Sequence, residues 1–332
     1  MDTSSLRSTY LVTAIGSLSA PAVIAGLRGI PGARVLGGDS NPARWLANSA
    51  LVDGFHRLPC ARDPAGFIDA LLRLCRGHGI TDIVPLTDPE VDVLDAHRDV
   101  VAATGARMLM PDAETVRVCR DKWHLFQAFQ SDPVVATIPT WLPVVDVQVP
   151  QALPLLAKPR AGRSSEGLLR IHDHADYRHA QSLMRGRDYI MQPLLHGEVC
   201  VVDVVRQAST GHCATMARQE LLRTCNGAGT SVRMLPTGTL DRQARHVAER
   251  LRLNGCINLE FLQDGDRYLL MDANPRFSAG VGFSVIAGYD MVGNHLRCFD
   301  GASLDPQVAP GVEFCTRRQE EVAMPMAGGE QR

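Results

Sequence analysis

The sequence predicts an α/β domain built on a doubly wound parallel sheet, followed by a strand-rich α+β part. Three observations predict this. In the first third, short apolar runs alternate with helical patterns of roughly 10–15 residues, the spacing of parallel crossover units. From about residue 154 the character changes to closely spaced strands. The length of 332 residues exceeds what one domain ordinarily takes.

In order, residues 10–15, 34–38, 82–87 and 107–110 read as strands, with 55–58 a weaker one. Between them, 19–28, 42–50, 64–76 and 89–103 read as helices, three with proline at or next to the start, where its missing N–H costs nothing. Asp112 is the expected N-cap of a helix reaching Phe129, because Val116, Cys119, Trp123, Phe126 and Phe129 recur at helical spacing. Proline breaks at 131–133 and 137–139 end this stretch. Strands are then expected at 154–159, 167–172, 188–194, 198–206, 211–217 and 231–235. A helix over 240–253 leads into a hairpin of 255–264 and 267–273. The tail after Pro306 is polar and Pro/Gly-rich, its last few residues expected to be mobile. No internal repeat is visible.

Composition narrows the function. Hydrophobic residues at 45% and charged ones at 21% are ordinary for a soluble protein with a sizeable core. A net charge of −2 and 5% aromatics supply neither the basic field nor the stacking platforms of nucleic-acid binding. Nine scattered cysteines without a CxxC pair fit reduced thiols, not disulfides or zinc. No signal-peptide pattern opens the sequence, and no apolar run approaches the roughly 20 residues of a membrane span. A cytoplasmic location is expected.

The densest chemistry lies in Asn258-Leu259-Glu260-Phe261, Asp264-Gly265-Asp266-Arg267 and Met271-Asp272-Ala273-Asn274-Pro275-Arg276. Asp-Gly between alternating runs signals a hairpin. With a three-residue loop closed by Asp264 and Tyr268, Glu260 stands opposite Asp272 on one face, and Asn274 points the same way. A two-residue loop would shift that register by one. Two carboxylates and an amide oxygen are hard ligands suited to Mg²⁺ carrying nucleotide phosphates. A solvated hairpin is the bland alternative, but these acids sit among Leu259, Phe261, Leu269, Leu270 and Met271, where an unpartnered carboxylate is costly.

Arg160-Ala161-Gly162-Arg163-Ser164-Ser165-Glu166-Gly167 can wrap phosphate oxygens with backbone N–H groups, although it lacks the Gly-Lys-Ser/Thr ending of a Walker A loop. Lys158, inside an apolar strand, requires an anionic partner. Lys122 alone would be an ordinary solvated helical lysine. Arg218 and Arg223, leading into 224–230, are candidates to hold a substrate carboxylate, with surface arginines the alternative. His172, His174 and His179 lack zinc spacing and read as surface residues. Gly16 after the first strand and Asp39 after the second suggest a nicotinamide site, but the turn Gly-Ser-Leu-Ser-Ala lacks the three-glycine fingerprint.

Taken in order, Asp121-Lys122, Ile138-Pro139, Lys158-Pro159, the small-residue loop, Met191-Gln192-Pro193-Leu194-Leu195-His196-Gly197-Glu198, Asn258–Phe261 and Asp272–Arg276 resemble the ATP-grasp superfamily, nearest its carbamoyl-phosphate-synthetase-like and amino-acid-ligase branches. The resemblance implies a pre-ATP-grasp domain over 1–112, a small lobe with its lid over 113–190 and a large lobe over 191–332. It gives Lys122 and Lys158 to the nucleotide phosphates and Gly162, Ser164, Ser165 and Gly167 to the lid. Gln192 and Leu194 fall in the adenine-reading hinge, where many relatives carry an acid in place of Gln192, and Glu198 accepts from the ribose. Glu260, Asp272 and Asn274 match the magnesium ligands, with manganese an alternative, and Arg276 the arginine that steadies an acyl phosphate. The implied activity joins a small carboxylic or amino acid to an amine with ATP. The chain is too short for a full carbamoyl-phosphate synthetase. A non-catalytic nucleotide-binding module and an NAD-dependent oxidoreductase are the alternatives. No nucleic-acid or membrane partner is implied, and a homodimer stays open.

Overall fold

The computed structural model describes residues 8–143, 153–162 and 166–324. The chain opens with β1 (Thr9–Val12), α1 (Ala20–Arg28), β2 (Arg34–Asp39), β3 (Gly54–Arg57), α2 (Pro64–His78), β4 (Asp82–Val84), α3 (Asp88–Ala96), α4 (Arg98–Ala102) and β5 (Arg107–Met108). The five strands pair in parallel in the order β3-β2-β1-β4-β5, the doubly wound arrangement expected from the alternating pattern. The expected helix at 42–50 is instead two 3₁₀ turns, Ala43–Trp45 and Ala47–Leu51. Asn48 and Ser49 explain the difference: their side chains bond the carbonyls of Ile15 and Ala43 at 2.7 and 2.8 Å, an alternative to helical pairing. The helix expected at 89–103 is interrupted at His97, which separates α3 from α4.

Next come α5 (Ala113–Cys119), α6 (Lys122–Phe129) and β6 (Ala136–Thr137). One continuous helix over 112–129 does not form. Asp112 does cap it, through Thr115 N–H at 2.8 Å, but Asp121 is extended and caps a second helix by accepting from Trp123 N–H at 2.8 Å. The break places Lys122 in the first turn of α6.

Then follow β7 (Leu155–Pro159), β8 (Leu169–Ile171), α7 (His174–Met184) and β9 (Tyr189–Pro193). These three strands form a sheet in the order β8-β7-β9, covered by Tyr177, Ala180 and Met184 of α7. Asp173 caps α7, whose thin apolar stripe escaped the sequence reading. The remaining elements are β10 (Glu198–Arg206), β11 (Cys213–Arg223), β12 (Gly229–Met234), α8 (Thr239–Arg250), β13 (Gly255–Asp264), β14 (Arg267–Asn274), α9 (Val281–Ile286), α10 (Met291–Asp300) and β15 (Phe314–Thr316). They build a seven-stranded sheet, β15-β12-β11-β10-β13-β14-β6. Helices α5, α6 and α8 pack on one face through Val118, Leu125, Phe129, Ala244 and Val247. The other face shares a core with β1 and α1, through Val205, Met216, Phe283, Met291 and Val292 against Val12, Val23 and Leu27. Helices α9 and α10 and strand β15 were not expected; β15 shows that the Pro/Gly-rich tail contributes an edge strand.

The β13–β14 hairpin differs from expectation in a way that matters. Asp264 pairs with Arg267, so the turn has two residues, not three. Left uncorrected, that register would set Glu260 against Met271. A β-bulge between Glu260 and Phe261 admits one extra residue on β14 and restores Glu260 opposite Asp272 and Asn258 opposite Asn274.

Candidate active site

The strand registers assemble the site on one sheet face. Val201 of β10 pairs with both Arg218 of β11 and Glu260 of β13, and Glu260 pairs with Asp272 of β14. These residues form a row across four strands. A second row runs from Asp203 through Asn258 to Asn274. Burial pushes the Glu260 carboxyl up to about 7, with Asp272 adding repulsion and Arg223, 3.5 Å away, opposing it. Lys122 Nζ lies 3.3 Å from Asp272 Oδ2. Lys158 is only 6% exposed; burial pushes its ammonium down to about 8, while Asp272 and Glu260 pull it back up.

This donor set fits a hard divalent cation. Two facing carboxylates that line both neighbouring cavities repel one another, and a cation between them would remove that cost. Asn274 is placed differently from a ready-made ligand. Its nitrogen donates to Asn258 Oδ1 at 3.2 Å and Glu260 Oε1 at 3.4 Å, and its oxygen accepts from Arg276 at 3.4 Å. Offering that oxygen beside Glu260 requires the amide to turn over. Among the described residues no group of three His, Cys, Asp or Glu stands ready for a metal, and His172, His174 and His179 are exposed.

Two cavities meet at this wall. One, of about 250 Å³, is lined by Lys122, Lys158, Pro159, Gly162, Glu166 and Met271. Lys122 reaches across it to donate to Gly162 O at 3.3 Å. Gly167 ends the neighbouring loop with φ +74, and a Cβ there would meet Pro159 Cγ at 2.9 Å, so glycine is required. Ser164 and Ser165 lie outside the described residues. Gln192 is buried and donates to Thr140 Oγ at 2.8 Å, while the Leu194 N–H donates to Pro154 O at 3.0 Å. Glu198 stands at the exposed start of β10, where Gln219 donates to it.

The other cavity, of about 400 Å³, is bounded on one side by loops of the N-terminal parallel sheet. Ser17, Leu18, Thr87 and Asp88 line it opposite Arg218, Asn258 and Arg276. Arg218 is 1% exposed. It donates to Asp203 at 2.8 Å and Ser278 at 3.1 Å, leaving its buried Nε–H without a hydrogen-bond partner, with Glu220 Oε1 3.8 Å away. Asn258 Nδ2 is likewise buried and unpartnered, so two orphan donors belong to residues of this cavity. Arg223 is held by Glu220 at 2.8 Å. Arg276 forms a two-pronged pair with Asp88, both contacts 2.8 Å. Burial would raise the Asp88 carboxyl, but Arg276, with Arg120 and Lys122, holds it below the usual range. The sequence does not single out Asp88, because an Asp-Pro at a helix start reads as a cap, nor Ser278, beyond the Asp272–Arg276 segment; it marks Asn258 only as part of Asn258–Phe261, without a role of its own.

Gly280 permits the Arg218 placement, since a Cβ on it would stand 2.5 Å from Arg218 Nη2. Gly280→Ala is therefore expected to cost about 1–3 kcal/mol in a denaturation experiment, because a guanidinium pinned by Asp203 and Ser278 cannot step aside. An unchanged midpoint would show that Arg218 is looser than its contacts indicate. Asp39, the residue a dinucleotide ribose would need, is already engaged. Its carboxylate accepts from Gly16 N–H at 2.9 Å and from Asn41 N–H at 2.9 Å. No described helix is long and apolar enough to cross a membrane.

The three-stranded and seven-stranded sheets, with the 250 Å³ cavity between them and a parallel sheet in front, form the ATP-grasp fold. Over residues 185–321 the chain matches the family described as "ATP-grasp in the biosynthetic pathway with Ter operon". Biotin carboxylase from Campylobacter jejuni, solved as a β-γ-ATP complex, superposes with a TM-score of 0.73 at 15% identity, covering 90% of this chain and 72% of that one. L-amino acid ligase from Bacillus licheniformis gives 0.68 at 12% identity, covering 89% and 74%. Rhizobium etli pyruvate carboxylase gives 0.72 at 18% identity over 90% of this chain, which spans only 29% of that enzyme's length. At these identities the likeness establishes the fold. No curated protein sequence matches.

Proposed function

We propose that this chain is an ATP-dependent carboxylate–amine ligase that forms an amide or peptide bond through an acyl phosphate and releases ADP. The observation that carries this reading is the shared wall: Arg223, Asn226, Gly227, Glu260 and Asp272 line both cavities. A nucleotide held on the lysine side and an acid held on the arginine side would bring their reacting oxygens together at that wall.

In this reading Lys122 and Lys158 neutralise phosphate oxygens, and Gly162, Ser164, Ser165 and Gly167 close over them. Gln192 and Leu194 border the adenine, and Glu198 takes the ribose. Glu260, Asp272 and Asn274 would hold Mg²⁺ or Mn²⁺, which supplies charge neutralisation at the triphosphate when bound. Arg218 and Arg223 receive the substrate carboxylate, and Arg276 stabilises the acyl phosphate. The carboxylate oxygen attacks the γ-phosphorus as the bond to the ADP oxygen breaks. The amine nitrogen then attacks the acyl carbon, phosphate leaves with the C–O bond pair, and the amine proton passes to solvent. No enzyme nucleophile is needed. The 400 Å³ cavity suits an amino acid or small carboxylic acid, and such a ligase would serve biosynthesis in the cytoplasm, alone or as a homodimer.

The test is acid-dependent phosphate release across a panel of amino acids and small carboxylates, with and without amines, followed by product mass. Mg·ATP binding and an acid–amine pair that accelerates ADP release are expected. A well-folded chain that fails to bind Mg·ATP would refute the reading, and ADP release indifferent to every pair would refute ligation.

A further inference from the structure

One side chain outside both cavities ties the wall of the larger one together. Arg317 follows β15 in the Pro/Gly-rich tail. Its Nε donates to Gly229 O at 3.2 Å, its Nη1 to Leu18 O at 3.1 Å and its Nη2 to Ala279 O. Leu18, Gly229 and Ala279 each line the 400 Å³ cavity, and they come from three separate segments. Leu18 belongs to the turn after β1, Gly229 starts β12, and Ala279 precedes α9. The guanidinium also lies over the Phe283 ring, 4.9 Å from its centroid. The Arg317 backbone N–H is fixed to Thr230 O at 2.8 Å, and β15 pairs with β12 from Ser231 to Arg233. The tail therefore delivers this guanidinium to a fixed place.

We infer that Arg317 is a positioning residue that clamps three rim segments of the acceptor cavity and thereby sets its affinity and selectivity for the acid or amine. This role rests on the ligase reading only for the identity of what the cavity holds. The physical case is the geometry of the fork. A guanidinium has donors on all three nitrogens in one rigid plane, so it can hold three carbonyls at fixed mutual angles, which a flexible ammonium cannot. The bond to Leu18 crosses from the large sheet to the N-terminal domain, so the clamp also fixes how far the turn after β1 stands from the Arg218 side. Lys122, Lys158 and the smaller cavity receive no contact from Arg317 among the described residues. Its loss should therefore be felt on one side of the shared wall.

Two measurements on the full chain test this. Amide hydrogen exchange on Arg317→Ala should speed up together in the peptides carrying Leu18, Gly229 and Ala279, with β4 and β7 unchanged. Faster exchange confined to the tail would overturn the clamp. Steady-state kinetics should show the KM for the acid or amine raised by about tenfold, with the KM for ATP within about twofold of wild type. Arg317→Lys, which keeps charge but not the fork, should fall between, and it carries both readouts if the alanine variant does not fold. Equal shifts in both KM values, or none, would overturn the positioning role. Wild-type protein without acid-dependent turnover would instead refute the ligase reading, and the exchange data would still decide whether the clamp exists.

Discussion

Asp272→Asn is expected to reduce ATP turnover by about a hundredfold or more while leaving the fold intact. Even partners one step removed from a metal cost roughly 10–100-fold when lost, and this substitution removes a charge from the candidate ligand set itself. The structural cost is small for three reasons. The new side chain has the same shape, and its oxygen can still accept the Ala273 N–H, now bonded to Asp272 Oδ1 at 3.0 Å. The one ion pair within 4 Å that is lost is with Lys122, at 3.3 Å, and Glu260 remains as a countercharge to the buried Lys158 ammonium. Asp272 also repels Glu260, so its neutralisation relieves a strain that burial has already raised. Phosphate release, Mn²⁺ binding and a thermal melt decide the matter. Wild-type turnover or wild-type Mn²⁺ affinity in the folded variant would refute the metal assignment.

The hairpin that carries Asp272 shows how far the sequence could be read. Acidic residues among apolar ones marked the site, and the Asp-Gly turn marked the hairpin. The opposition of Glu260 and Asp272 was nevertheless reached through a wrong turn length. A two-residue turn and a bulge displace the register by equal and opposite amounts, and no local residue preference announces a bulge at Met271. The parallel sheet was legible because proline starts and apolar runs punctuate each crossover unit. Helix breaks at His97 and at Arg120–Asp121 were not, since side chain to backbone bonds decide them and apolar spacing continues across the gap. Least legible were long-range partners. Arg276 and Asp88 stand 188 positions apart, and Arg317 and Leu18 stand 299 apart, so only the folded chain reveals either contact. The donors were visible as residue types, their acceptors were not.

The Asp88–Arg276 pair leads to the second large effect. Asp88→Ala should destabilise the protein by about 3–5 kcal/mol, read as a lowered denaturation midpoint, because it leaves the buried Arg276 guanidinium without its counter-charge. Arg120 softens this little: it lies 3.7 Å from Asp88 and is already satisfied by Asp92 at 2.7 Å. Stability alone would not distinguish a structural ion pair from one that serves chemistry. The double replacement Asp88→Leu with Arg276→Met does, since exchanging a buried pair for apolar groups of similar size is often neutral or favourable. Under the ligase reading this variant regains most of the lost stability, yet its acid-dependent phosphate release stays as low as that of Arg276→Met alone. Recovery of turnover together with stability would mean that Arg276 holds the two domains together and does nothing for the acyl phosphate. The pair would then be a hinge pin between the parallel-sheet domain and the seven-stranded sheet, and the arginine steadying the reaction would have to be sought at Arg218 or Arg223.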